Sequence, residues 1–490
     1  MATDEQIITS VPDQVDNFQT EYSSPESIGD AQFMQDSYTG GGIYQTGAGL
    51  IPHPKEFPPD YAARQAGVFN KNFLKPIVRA MVNPIFSEEA AREITGNAPL
   101  FEEFINDCDS AGTSLQDFMC EANTFTRVHG VSFVVMDNIP EPEMPKSTNE
   151  ALNLRAFPYV YLKAPQDVKE YSVDRFGNLV HIIFTEFITD AYKKTLGIKD
   201  GGDVFRFWDG KLTYLAIKKD EIYTSVGGKI EHKVGHIPVI PFYLSKRMNK
   251  SSIFISPPPL YDIAKIGYAI FNKDSEIREL ERKQGFAMMY GPPMKSWING
   301  TSTYLSVPDG ATTPGFASPD SGIEAQLREY SKELKEDIYA LAEQNGVTGN
   351  AAVDQSGISK AFDFWAHETV LKDGATGSEN LEVKISEVFK GYTRENFTFE
   401  VSYKEDFVTL DTNQEIEALD KHLLMGPQPK TKGMIQKKMI DINFSDKNSD
   451  IVDAAKAEID AWVEKLILTE STDINGLSNL TELETEQESI

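Results

Sequence analysis

The residues of this chain whose types and spacing could do chemistry are few, and each set is incomplete. His232 and His236 have the i, i+4 spacing of a helical metal pair. They flank Val234-Gly235 in β-type sequence just before Pro238, however, which would not put both imidazoles on one helix face. His367-Glu368 starts like the helix of a zinc protease but lacks its second histidine, and reads as a surface pair beside Trp365. Cys108 or Cys120 with His129 would supply a thiol and its base. Nothing local activates either thiol, and buried cysteine commonly serves as a small hydrophobe. Gly40-Gly41-Gly42 and Gly47-Ala48-Gly49 follow no apolar strand and precede no Lys-Ser/Thr, so they suit a flexible arm better than a phosphate cradle. No GxSxG occurs, and among 75 Asp and Glu no catalytic pair stands out. No catalytic residue, metal or cofactor is expected. A soluble intracellular enzyme with an unrecognised site is the alternative.

Charge narrows the field further. The 490 residues carry a formal charge of −28, of which roughly −18 lies in residues 1–70 and 441–490. Duplex affinity comes mainly from Lys and Arg displacing counterions, so an acidic chain is a poor candidate for gripping DNA. No stretch of about 18 apolar residues is present, and no basic segment followed by an apolar one opens the chain. Neither a membrane span nor a secretory leader is expected. The two cysteines make no metal-type CxxC and no disulfide framework, which fits a reducing compartment.

The elements that must position any site follow from pattern. Residues 1–70 have the polar, Gly- and Pro-rich composition of an arm, with ordered structure expected from about Tyr61. Phe73 to Met136 reads as helical, closing in the buried strand Val131-Ser132-Phe133-Val134-Val135-Met136. Tyr159 to Tyr243 reads as β, with hairpins at Phe176-Gly177-Asn178 and Asp209-Gly210 and an edge or exit at Ile237 to Pro241. Pro257-Pro258-Pro259 then opens a helix over Leu260 to Gly285, about 37 Å long. Phe286 to Asp320 reads as short strands and turns, and Phe397 to Tyr403 as a strand returning to the earlier sheet. Short amphipathic helices follow over 414–424, 430–440 and 451–468.

Between these lies a charged helix, a small-residue loop and a second helix. Ile323, Leu327, Tyr330, Leu334, Ile338 and Leu341 form a single narrow apolar stripe, hence one buried face. Such a rod has too little apolar surface to stand alone, and packing against copies of itself would cover it. The loop Asn345-Gly346-Val347-Thr348-Gly349-Asn350-Ala351-Ala352 has no large apolar anchor but Val347 and is expected to be exposed. The second helix starts near Ser359, and Gly374-Ala375-Thr376-Gly377 is expected to break or kink it.

The order of these elements resembles that of the portal proteins of tailed bacteriophages, across roughly Phe73 to Leu468. Asp107-Cys108-Asp109-Ser110-Ala111-Gly112-Thr113-Ser114 leading to His129-Gly130-Val131 is similar to the wing segment of that family. There Thr113 or Ser114 can cap a helix carrying Asp117 in its first turn. Pro258-Pro259-Leu260-Tyr261-Asp262 is similar to the start of its first stem helix, and Ser356-Gly357-Ile358-Ser359-Lys360-Ala361 to the entry into its long helix.

The resemblance implies an α+β fold with several parts. These are a helical and β wing (71–257, with 359–405 returning to it), two stem helices (258–287 and 321–344) and a small β clip (288–320). A tunnel loop (345–358), a long kinked helix (359–392) and a helical crown (406–470) complete it, between an acidic flexible arm (1–70) and a disordered acidic tail (471–490). It implies a homo-oligomeric ring, usually of twelve copies, at one capsid vertex of the virion, assembled in the host cytoplasm. Double-stranded DNA would pass the ring without sequence-specific contact, along a tunnel loop of Asn345, Gly346, Val347, Thr348, Gly349, Asn350 and Asp354. The clip, with Tyr290, Trp297 and Tyr304, would meet the terminase large subunit and then head-completion or adaptor proteins, and the major capsid protein would surround the ring. Another ring-forming head-to-tail adaptor is the neighbouring alternative.

Overall fold

The computed structural model describes residues 7–8, 25–138, 145, 147–196, 198, 203–219, 222–247, 252–255, 257–285, 288–290, 315–317, 321–342, 357–404, 407, 419–424, 428–443, 452 and 454–465. The chain divides into two units, Met1–Phe407 and Val408–Ile490.

The first unit begins with β1 (Ile7–Ile8), α1 (Pro25–Thr39), α2 (Pro58–Ala66), α3 (Leu74–Val82) and β2 (Ala91–Asn97). It continues with α4 (Pro99–Asn106), α5 (Leu115–His129), β3 (Ser132–Asp137), α6 (Thr148–Asn153) and β4 (Tyr159–Lys163). The hairpin region holds β5 (Val168–Val173), β6 (Leu179–Glu186), α7 (Asp190–Thr195), β7 (Val204–Trp208), β8 (Leu212–Lys219), β9 (Ile222–Glu231) and β10 (Val239–Phe242). Then come α8 (Tyr261–Gly285), β11 (Met288–Tyr290), β12 (Gly315–Ala317), α9 (Ser321–Leu341), α10 (Gly357–Thr393) and β13 (Asn396–Ser402). In the second unit α11 (Pro429–Asn443) packs Gly433 against Val463, and Lys437 pairs with Asp460 at 2.6 Å. The fold is α+β.

Local chemistry sets the central joint. Ser114 Oγ accepts a hydrogen bond from the Asp117 amide at 3.1 Å, capping α5 as the sequence predicts. Gly130 ends the helix in the left-handed region at φ 81°, where a side chain would be strained. The chain then enters β3, every residue of which is buried. Successive side chains of a strand point to opposite faces, and here both faces are covered. Val134 and Met136 join the core formed by α4, α5, α10 and β13, where Phe101, Phe104, Phe389, Phe397 and Phe399 pack with ring centroids as close as 4.7 Å. Phe133 and Val135 join a second core with Tyr171, Phe184, Trp208 and Phe254. The first face lies under helices and the second under the six-stranded sheet, whose order is β1-β9-β8-β7-β6-β5. The three-stranded sheet β10-β3-β4 leaves Pro241 on the edge strand β10, where a missing N–H is tolerated.

Four expectations are corrected. The segment read as helical contains β2, and β13 pairs with it along its whole length, from Asn396 opposite Asn97 to Ser402 opposite Ala91, rather than with the earlier sheet. Arg92 on β2 makes a bidentate ion pair with Glu382 on α10, at 2.7 and 2.9 Å, and Tyr403 Oη donates to the same carboxylate. Glu382 is fully buried, so this pair and its hydrogen bonds fix the strand that local pattern misses. Residues 25–70 are not a free arm: Met34 is fully buried, and α1 packs against α3, α5 and α8. Finally, α10 runs unbroken through Gly374 and Gly377. A Cβ at Gly374 would lie 2.5 Å from Arg127 Nη2 and 2.6 Å from Ile85 Cδ1, so glycine there permits close packing and does not interrupt the helix.

Two outcomes follow for stability. In an open helix Gly→Ala gains about 1 kcal/mol. At Gly374 the methyl must displace a guanidinium held by bonds to Asn123 and the Val370 carbonyl, together with a fully buried Ile85. Gly374→Ala is therefore expected to lower stability by about 1–2 kcal/mol in denaturant titration, the opposite sign from a solvent-exposed break. His129 is buried at the end of α5 beside Gln35 Oε1 at 2.9 Å, and burial pushes its pKa from 6.5 to about 4. Because the folded value is below the unfolded one, this contribution is complete above about pH 6.5 and lost as pH falls toward 4, on the order of 2–3 kcal/mol. His129→Gln is expected to flatten that part of the stability profile measured from pH 7.5 to 4.5.

Candidate functional site on the paired long helices

Asp274 meets Ser331, with 3.4 Å between Oδ1 and Oγ, and Glu281 pairs with Arg328, so α8 and α9 run antiparallel. Their shared core holds Ile263, Ala264 and Ile270 from α8 with Leu334, Ile338 and Ala342 at the end of α9. At about 100° per residue, the buried side of α9 is an arc some 80° wide running from Leu334 to Ala342.

The predicted stripe is divided by this packing. Ile338 is fully buried, and Leu327 and Leu334 are half-buried. Ile323, Tyr330 and Leu341 are 50%, 48% and 53% exposed. These three lie within about 20° of one another on the helix surface, on one shoulder of the buried arc. α8 therefore covers one edge of the stripe, and the other edge has no cover from the described residues.

α8 has little open perimeter, because the N-terminal segment clasps it. Tyr268 Oη donates to the Gly49 carbonyl at 2.5 Å, and the Ile51 amide donates to Asn272 Oδ1 at 2.8 Å. Arg64, held by Glu56 at 2.7 and 2.8 Å, also donates to Ser275 Oγ, and Lys71 pairs with Asp274 at 2.7 Å. Tyr44 packs edge-on to Phe271, with centroids 5.0 Å apart. Sequence reasoning missed this clasp because it is made by backbone carbonyls and scattered polar side chains, which leave no periodic signal.

The other named residues fall as follows. The loop residues Asn345, Gly346, Val347, Thr348, Gly349, Asn350 and Asp354 lie outside the described residues, as do Trp297 and Tyr304. Tyr290 ends β11, opposite Gly315 at the start of its antiparallel partner β12. Cys108 is buried, and burial pushes its thiol pKa well up; Cys120 is half-buried and also raised. His232 Nε2 donates to the Asp209 carbonyl at 2.9 Å and its Nδ1 accepts from the Val234 amide at 3.4 Å, while Glu368 pairs with Lys372 at 2.8 Å. Among the described residues no cluster of three His, Cys, Asp or Glu could hold a metal ion. Ser172 Oγ and His181 Nδ1, 2.7 Å apart on β5 and β6, form a pair the sequence did not suggest. Both are buried, and desolvation holds His181 near pKa 4. The pair ties two neighbouring strands together at directly opposed positions.

A cavity of about 280 Å³ lies where Pro259, Leu341, Val370 and Asp373 meet, with the Arg127 guanidinium in its wall. Burial lowers the Arg127 pKa to about 10, which still leaves it charged near neutral pH. No helix among the described residues is long and apolar enough to cross a membrane.

No family model matches the chain, and no curated protein matches it in sequence. Among solved structures it is similar to a chain of the "Neck of empty GTA particle computed with C6 symmetry". The two are 9% identical with a TM-score of 0.41, over 79% of this chain and 99% of that one.

Proposed function

We propose that this protein is a portal-type subunit: copies form a ring, of twelve on the family pattern, at one vertex of a phage capsid. The observation that carries this reading is the open shoulder of α9. A rod with Ile323, Tyr330 and Leu341 about half exposed on one line is under-covered in a single copy, and a neighbouring copy would cover it. The order of elements supports the same reading: a long helix, a small β hairpin, a second helix antiparallel to the first, then a 37-residue helix.

In this reading α8 and α9 are the stem, the segment joining them is the clip, and residues 345–358 form the tunnel loop. The clip docks the terminase large subunit and later the head-completion proteins. The ring is the channel for packaging and ejecting double-stranded DNA, with the major capsid protein around it. The chain's acidity suits such a channel, since repulsion leaves few sites where phosphate would stick. The second unit forms the crown.

Negative-stain imaging of the purified protein is expected to show rings with an axial hole, and a monomer or small dimer would overturn the proposal. Deleting residues 345–354 is expected to leave the rings intact while DNA packaging or retention falls. Rings that package normally after this deletion would favour an adaptor with no loop in the DNA path.

A further inference from the structure

The two flanks of the α8 and α9 pair differ in charge, and each has what the other lacks. On one flank a cavity of about 320 Å³ opens between the helices and the end of the N-terminal clasp. Lys71, Arg278, Arg328 and Lys335 line it, against Asp274 and Glu281. Lys71 is paired with Asp274 and Arg328 with Glu281. Arg278 donates Nη1 to the Gly67 carbonyl, but its Nε is buried with no acceptor among the described residues. Lys335 is half-buried and forms no ion pair among the described residues. Arg328 also pairs with Glu324 at 2.8 Å, so Arg278 and Lys335 are the groove cations without a carboxylate partner among the described residues, in a chain of net charge −28. Phe69, 47% exposed with the Arg278 guanidinium 4.4 Å from its ring centroid, adds an apolar wall.

The opposite flank is acidic. Beyond the line of Ile323 and Tyr330, the positions of Asp337, Glu333, Glu329 and Glu336 follow at about 40°, 80°, 120° and 140° around α9. Lys332 lies 3.7 Å from Glu329 and 3.8 Å from Glu336, which leaves Glu333 and Asp337 without a cation among the described residues. From the line of Ile323, Lys335 is about 120° one way and Glu333 about 80° the other, with the buried arc on the Lys335 side. A single rigid helix cannot bring its own ridge to its own groove. Contact between two different patches is heterologous, and it repeats from copy to copy until a ring closes.

We propose that the acidic ridge of one copy seats in the cationic groove of the next, with Glu333 neutralising Lys335 and Arg278 and Tyr330 covering Phe69. This rests on the ring reading and supplies its contact. Complementary charge fixes the register of such a contact, while the aromatic pair provides the area removed from water.

Lys335→Glu, Glu333→Lys and the double variant test the contact by sedimentation at low and moderate salt. Neither residue has an ion-pair partner within its own copy among the described residues, so each variant is expected to fold. Each single reversal is expected to raise the concentration for half-assembly by about tenfold or more, and the double variant to recover to within a few fold of wild type. Oxidation of a Phe69→Cys, Tyr330→Cys protein is expected to give a ladder of cross-linked oligomers, because the two sites lie on opposite flanks of one copy. Single reversals that assemble like wild type, a double variant that does not recover, or cross-linking without a ladder would overturn the contact while wild-type rings remain visible. Wild-type protein without rings would overturn the ring reading itself.

Discussion

The two-sided burial of β3 is the constraint on which the first unit depends. A strand covered on both faces must be apolar at consecutive positions, and Phe133-Val134-Val135-Met136 satisfies this with all four side chains fully buried. Each such side chain contributes roughly 1.5–3 kcal/mol on burial, and alternate residues give that free energy to different cores. The helical core and the sheet core are thereby joined through six residues of backbone. The consequence reaches the long helices. A Cβ on Gly130, at the entry to β3, would sit 3.1 Å from Ile255 Cβ and 3.2 Å from Pro259 Cδ, so the start of α8 packs directly against the turn that feeds the strand. The segment leading into α8 is thereby held against that turn.

What the sequence made legible was local. The apolar run of β3, the Ser114 cap, the hairpins and the span of α8 each carry their signal in neighbouring residues, and the structure has them. What it hid was made by distant partners. β2, Ala-Arg-Glu-Ile-Thr-Gly-Asn, alternates exposed and half-buried positions from Ala91 to Thr95 but has only one large apolar residue, Ile94, and its partner strand lies far along the chain, at Asn396–Ser402. The Arg92 pair with Glu382 joins positions 290 apart. Gly374 and Gly377 illustrate a different limit: a small residue in a helix fits both a break and a close approach, and only the neighbour, here Arg127 or Leu244, decides between them.

The candidate site was half legible. The apolar stripe of α9 is present, but its division into a covered edge and an open one depends on where α8 approaches, which spacing alone does not encode. Two residues that first suggested chemistry have structural work instead: Cys108 packs in the helical core and His129 contacts Gln35 across α1 and α5. His181, which the sequence did not single out, ties β5 to β6. Each is buried where burial disfavours its charged form, so none is poised as nucleophile or base.

The clasp of residues 43–71 around α8 has a consequence for synthesis. Its hydrogen bonds to Tyr268 and Asn272 span 219, 221 and 223 residues, so the clasp leaves the ribosome long before the helix it must hold. At roughly 5–20 residues per second the delay is on the order of 10–40 s. Throughout it, Tyr44, Leu50 and the other groups that later surround Phe271 have no helix to close upon. The nascent chain therefore finishes this part of its fold late, and a truncated chain that stops before α8 leaves the clasp with nothing to hold.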